Sequence, residues 1–129
     1  MTVAGAWSMT GFGMFSVIEK ASGLWVGRLG PWRPADWPGN EVGWGLAPAF
    51  WGKGYATEGA ATAIDWAFDS RGWTEVIHTI GPQNTPSQNV ARRLGSVQGE
   101  PGRLPAPYEN EPVDVWGQSR EAWRARRTA

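Results

Sequence analysis

Residues 41–80 constrain the fold more than any other stretch. Glu41 to Ala47 alternates so that Glu41, Gly43, Gly45 and Ala47 share one face of a strand, with Val42, Trp44 and Leu46 on the other. Pro48 has no N–H and ends ladder pairing. Then comes Ala49 to Thr57, punctuated by Gly52 and Gly54. Ala56, Ala60, Ala63, Ile64, Ala67 and Phe68 fall on one stripe at helical spacing and predict a helix from about Ala56 to Arg71. The stripe is built of small residues, so this helix can sit close to a sheet. Gly72 is placed to cap it. Glu75 to Ile80 is short, β-branched and reads as a strand. A strand–helix–strand unit of this length is a crossover and requires a sheet with helices packed on it.

The flanking segments add antiparallel pairs. Phe12 to Lys20 and Leu24 to Gly30 are apolar runs around Ala21-Ser22-Gly23, a hairpin with Gly23 in the left-handed region. Residues 1–11 show no period and read as a short helix end or a loose arm. Three prolines between Pro31 and Asn40 predict a loop, as do four between Gly99 and Pro112. Thr85 to Leu94 reads as a helix closed by Gly95, and Val113 to Gly117 as a last strand. Ser119 is placed to cap a final helix, with Glu121 in its first turn and Arg124, Arg126 and Arg127 in its last. That arginine cluster is either a solvated, well-capped tail or a binding patch. The order β-β-β-α-β-α-β-α gives an α/β (α+β) fold, a mixed sheet flanked by helices, in one domain spanning residues 1–129.

Composition removes several chemistries. There is no cysteine, so thiolate nucleophiles, disulfides and cysteine zinc sites are excluded. One histidine, His78, cannot build a multi-histidine metal centre, so no metal site is expected. Lys53 precedes Gly54 rather than Ser or Thr, so no Walker A loop exists, and Gly-x-Gly-x-x-Gly and Gly-x-Ser-x-Gly are both missing. Twelve basic and twelve acidic residues cancel, which gives no electrostatic case for nucleic acid or an anionic membrane as partner. No apolar run approaches the roughly 18 residues of a spanning helix. A soluble, cytoplasmic protein is the expectation.

The segment Trp51-Gly52-Lys53-Gly54-Tyr55-Ala56 carries the chemistry. It leads straight into a helix, whose first turn leaves N–H groups unpaired at the positive end of the dipole. Glycines let several such groups converge on a phosphate or pyrophosphate. Lys53 can add charge. Glycines in a strand-to-helix turn also occur without a ligand.

At this point the sequence resembles the GNAT superfamily of N-acetyltransferases, in its RimJ/RimL-like branch. The family signature Gln/Arg-x-x-Gly-x-Gly/Ala is matched at Gly54 and Ala56, with Trp51 at the first position. Glu41-Val42-Gly43-Trp44-Gly45-Leu46, Trp51-Gly52-Lys53-Gly54-Tyr55-Ala56-Thr57-Glu58, Asn84-Thr85-Pro86-Ser87 with the helix running to Gly95, and Val113-Asp114-Val115-Trp116-Gly117 with Ser119-Arg120-Glu121 are similar in order and distance, so the resemblance covers about residues 12–124. It implies a mostly antiparallel sheet whose fourth and fifth strands splay apart around acetyl-coenzyme A, the co-substrate. Pro48 offers a local reason for the split. Carried over, the amides of Lys53, Gly54, Tyr55, Ala56 and Thr57 hold the pyrophosphate, and Trp51 and Gly52 are cofactor-binding residues of the same loop. The backbone of Leu46 and Ala47 pairs with the pantetheine arm, Asn84 and Ser87 contact the cofactor from the other wall, and Gly43 and Gly45 keep the channel open.

The implied reaction is acetyl transfer to a primary amine, a protein N-terminus or a small amine, by direct attack. A backbone N–H of the fourth strand stabilises the oxyanion. Glu41 is a candidate general base, or else a strand-edge carboxylate; His78 is a second candidate, or a hydrogen-bonded core histidine. Ser87 protonates or solvates the leaving thiolate, or caps its helix. Members of the family carry a strand and two helices before the hairpin, so the resemblance also implies a chain shortened at its N-terminus. Two further readings stay open: a non-catalytic acetyl-coenzyme A binder, and a fragment that forms a homodimer through its hairpin edge.

Overall fold

The computed structural model describes residues 2–5, 15–19, 21–33 and 36–128. Among them, seven strands form one sheet: β1 (Thr2–Gly5), β2 (Phe15–Ile18), β3 (Trp25–Trp32), β4 (Glu41–Leu46), β5 (Glu75–Ile80), β6 (Val97–Gly102) and β7 (Val113–Ser119). Their order is β1-β2-β3-β4-β5-β7-β6, and every pair is antiparallel except β4–β5. Three helices, α1 (Tyr55–Ser70), α2 (Thr85–Leu94) and α3 (Arg120–Thr128), complete the α/β architecture.

The expected stripe of α1 is its buried face: Ala56, Ala60, Ala63, Ile64, Ala67 and Phe68 are all buried, together with Gly59. Gly59 lies so close to β3 that a Cβ there would collide with the Leu29 side chain. The core joins this stripe to Val42, Val76, Leu94 and Trp123, one residue or more from two strands and all three helices. Trp44 packs against this cluster and also against the Val17–Leu29–Phe50 and Ile80–Trp116 clusters, so one indole bridges them. The arginines of α3 are consumed structurally: Arg127 pairs with Asp65 at 2.8 Å, Arg124 with Asp69 at 3.2 Å, and Arg126 donates to the Arg93 carbonyl at 2.6 Å. The capped-tail reading is the one realised, with Ser119 Oγ accepting from the Ala122 amide.

Three expectations are corrected. Residues 2–5 are neither a helix end nor a loose arm; they pair with β2. The loop expected from Pro31 starts later, because Pro31 lies within β3 opposite Val42. The Val42 carbonyl points toward β5, so Pro31 and Val42 are a non-hydrogen-bonded pair, and the registered part of β2 ends at Leu29. No donor is required of Pro31 by β4. The loop expected from Gly99 is replaced through Gly102 by β6. This is an edge strand, where Pro101 is tolerated beside a register shift. The hairpin is as read, with Gly23 at φ +72°; its residues 12–14 and 20 lie outside the described residues.

Candidate active site

The parallel pairing of β4 and β5 is confined to Glu41 and Ile77. Ile77 N–H donates to the Asn40 carbonyl at 2.9 Å. In a continued ladder Thr79 N–H would donate next to the Val42 carbonyl. Instead both groups are taken by side chains. Thr79 N–H donates to Glu41 Oε2 at 2.7 Å, and His78 Nδ1–H donates to Val42 O at 2.7 Å. The Trp44 and His78 ring centres lie 4.8 Å apart beside the parted strands. The splay therefore starts well before Pro48, which is not its cause. Glu41 and His78 are.

Both side chains are buried, and burial acts oppositely on them. The Glu41 carboxyl is raised above its ordinary value by desolvation, against the bonds it accepts from Thr79 and Trp37. Its three donor protons come from Thr79 N–H, from Thr79 Oγ1 (2.9 Å) and from Trp37 Nε1 (2.7 Å). A carboxylate offers about four acceptor positions, so one remains. His78 is lowered to about 4, chiefly by desolvation. Because a carbonyl only accepts, Nδ1 carries the proton; Nε2 then accepts from Ser96 Oγ at 2.8 Å, and Gln118 donates to the same Oγ at 2.9 Å. Neither ring nitrogen is available as a base, and the hydrogen-bonded core histidine is the form found.

That burial has a measurable consequence. The folded pKa of His78 lies below the ordinary 6.5, so its stabilising contribution is complete above pH 6.5 and is lost as pH falls toward about 4. Urea unfolding at pH 7.5 and pH 5 should show about 2 kcal/mol lost from this group. Glu41, with a raised folded pKa, opposes it, contributing most at low pH and less as pH rises through its folded value. His78→Gln keeps Glu41 and should remove the His78 part of the slope; an unchanged slope would refute the assignment.

A groove of about 420 Å³ opens beside the splay. Of the residues expected to hold the cofactor, Leu46, Trp51, Gly52, Asn84, Ser87 and residues 54–57 line it, and Gly45 joins them; Lys53 and Ala47 do not. Gly52 and Gly54 both sit at φ +78°, which curls the loop, and a Cβ at either would point into open space. The first intrahelical bond of α1 is Glu58 N–H to the Gly54 carbonyl, so the amides of residues 55–57 have no helical acceptor. Gly54, the N-cap, has no side chain to satisfy them.

Two backbone groups depart from expectation. Ala47 N–H is committed to Val26 O at 2.8 Å, on the β3 side, and Leu46 O accepts from Trp51 Nε1 at 2.9 Å. By alternation Trp44 and Leu46 present their N–H groups to the gap. Lys53 is not among the groove's lining; its ammonium lies 3.7 Å from Glu19 Oε2 and 5.5 Å from the Phe50 ring centre. Arg93, from α2, is instead the cationic side chain among the described lining residues.

Glu19 was not legible as a site residue. It accepts from Tyr55 OH at 2.5 Å and from Ser22 Oγ at 2.8 Å, so the β2–β3 turn clamps the loop. The Tyr55 bond, then Ser22 and Lys53, hold its carboxyl below the ordinary range, and the Tyr55 phenol is raised in return. Asn84 caps α2, its Oδ1 accepting from Ser87 N–H at 3.2 Å. Ser87 is thus not the cap, and its hydroxyl has no partner among the described residues.

A second cavity of about 250 Å³ holds Glu41, Thr79, Trp32 and Trp37 in its wall, and shares Trp44, Asn84 and Ser87 with the groove. Those three residues line both spaces. Among the described residues no group of three or more His, Asp or Glu could hold a metal, and no helix is long and apolar enough to cross a membrane.

Comparison with known proteins agrees with this geometry. Residues 1–97 match the acetyltransferase (GNAT) domain family. The uncharacterized N-acetyltransferase YnaD of Bacillus subtilis is 34% identical over 81 residues, 63% of this chain and 48% of that protein. The acetyltransferase structure from Agrobacterium tumefaciens superposes with a TM-score of 0.69 at 28% identity, covering 84% of this chain and 61% of that one. Mycobacterium smegmatis RimJ in complex with CoA-disulfide shares the fold, with a TM-score of 0.66 at 21% identity over 84% of this chain and 53% of that one. The chain spans about half the length of the curated relatives it matches.

Proposed function

The chain belongs to the acetyltransferase (GNAT) domain family, and from that premise we propose that it transfers an acetyl group from acetyl-coenzyme A to a primary amine by direct attack. The observation that carries this reading is the groove. It runs along the splayed edge of β4 and ends on a glycine-curled helix N-terminus with unpaired amides. Such a terminus suits a pyrophosphate, and Arg93 adds a guanidinium where Lys53 does not reach. The N–H groups of Trp44 and Leu46 can pair with an amide-bearing arm laid along the gap. The proposal extends to the RimJ/RimL-like branch, supported by the sequence strings at 41–46, 51–58 and 84–95, and to a cytoplasmic setting.

Acetyl-coenzyme A supplies an activated acyl group and a thiolate leaving group. The protein supplies the proton traffic. Glu41 takes a proton from the acceptor ammonium, directly or through water, and its desolvation makes it a stronger base than an exposed carboxylate. The neutral nitrogen forms the new C–N bond as the C–S bond breaks. A β4 amide in the gap bonds the carbonyl oxygen as charge develops on it. The Ser87 hydroxyl, which lines both cavities, hydrogen-bonds to the departing sulfur, and the second proton that the nitrogen sheds on becoming an amide passes to that thiolate, leaving a thiol. Calorimetric titration with acetyl-coenzyme A should show one site, and thiol release in the presence of amines should follow. Absence of binding heat in demonstrably folded protein would refute the reading.

A further inference from the structure

The second cavity has a composition that the cofactor does not require. Trp32 and Trp37 stand edge to face, ring centres 6.3 Å apart at 87°. Trp37 is held in that pose by its Nε1 bond to Glu41 and by Tyr108, edge to face at 6.5 Å on its outer side. Two indoles at right angles offer a π face to a cation, and indole is the strongest such partner. Glu41 is the only acidic side chain among the described residues that line the cavity, and both ring nitrogens of His78 are committed to hydrogen bonds. It retains one acceptor position after its three protein donors are counted. At about 250 Å³ the cavity lies below the roughly 300–1,000 Å³ of pockets that enclose drug-sized ligands.

We propose that the Trp32–Trp37–Glu41 cavity is the acceptor subsite and that it selects a small primary monoamine, one positive charge on an apolar body. The inference rests on the acetyltransferase reading for the word acceptor. Its content, a monocation site, stands on the box itself. The ammonium sits between the indoles and the free Glu41 position, next to Ser87 and the groove. The apolar body lies against the tryptophans. A polyamine or an aminoglycoside brings further ammonium groups, for which the described wall holds no second carboxylate; each would be desolvated without a counter-charge.

The test compares 2-phenylethylamine, spermidine, kanamycin and an alanine-initiated tripeptide by thiol release at saturating acetyl-coenzyme A. The monoamine should exceed the others in kcat/KM by at least about tenfold. Trp32→Leu keeps an apolar wall at a partly exposed position but removes the π face. It should raise the KM for the monoamine about tenfold and leave the KM for acetyl-coenzyme A within about twofold. A preference for any of the other three acceptors, or an unchanged amine KM in Trp32→Leu, overturns the assignment.

Calorimetry separates this inference from the reading beneath it. Acetyl-coenzyme A and 2-phenylethylamine are titrated independently into wild type and Trp32→Leu. Protein that binds acetyl-coenzyme A but not the monoamine overturns the subsite alone. Protein that binds the monoamine, more weakly in Trp32→Leu, but not acetyl-coenzyme A supports the monocation site and overturns the transferase.

Discussion

Glu41→Gln is expected to lower kcat on the order of 10²-fold while the KM for acetyl-coenzyme A stays within about threefold. The wild-type carboxylate receives three donor protons and keeps one position open toward the cavity shared with Ser87. Glutamine removes the basic oxygen and turns an NH2 toward either Trp37 Nε1–H or Thr79 N–H. One donor then faces another donor, so stability should also fall, by about 1–3 kcal/mol. The two effects separate by pH. Wild-type kcat/KM should decline as pH drops through the raised pKa of Glu41, and the variant should lack that acidic limb. A variant that keeps most of the wild-type kcat, or the same acidic limb, would remove Glu41 from the chemistry and leave it as the residue that parts the strands.

Gly45→Val is expected to weaken acetyl-coenzyme A binding by at least about tenfold with little change in Tm, for a purely spatial reason. Gly45 lines the groove, and a Cβ built there meets nothing within 4 Å. A strand position with free space accepts a β-branched residue readily. The added methyls therefore cost the fold little but occupy the channel. Its cross-strand neighbourhood supplies the contrast: a Cβ on Gly27 would collide with the Gly45 carbonyl oxygen. That second glycine is required by the close approach of β3 and β4 whether or not a ligand binds. Equal affinities of wild type and Gly45→Val would place the cofactor path elsewhere.

Much of the fold was legible because its signals are local. The α1 stripe, the Gly23 turn, the Ser119 cap and the β-branched run of β5 depend on side-chain period and on which residues tolerate a given backbone angle. The errors share a cause. Proline predicts a loop at 31 and 101, yet Pro31 sits opposite Val42 where β4 asks nothing of the missing N–H, and Pro101 lies on an edge strand beside a register shift; register and edge position are properties that no single strand contains. The residues 2–5 strand is as short as its partner and becomes a strand through pairing with β2.

The site divides in the same way. The sequence alone determined the glycine loop and its place at the head of a helix, because φ +78° at Gly52 and Gly54 and unpaired first-turn amides are local consequences of residue type. Tertiary structure decided everything that needs two distant segments to meet. It turned Lys53 toward Glu19, put Arg93 on the groove wall and freed Ser87 by letting Asn84 cap α2. It also moved the cause of the splay from Pro48 to Glu41 and His78. Those two side chains intercept a donor and an acceptor on strands more than thirty residues apart, at Thr79 and Val42, and hydrogen-bond partners of that kind are assigned by the folded sheet rather than by the chain.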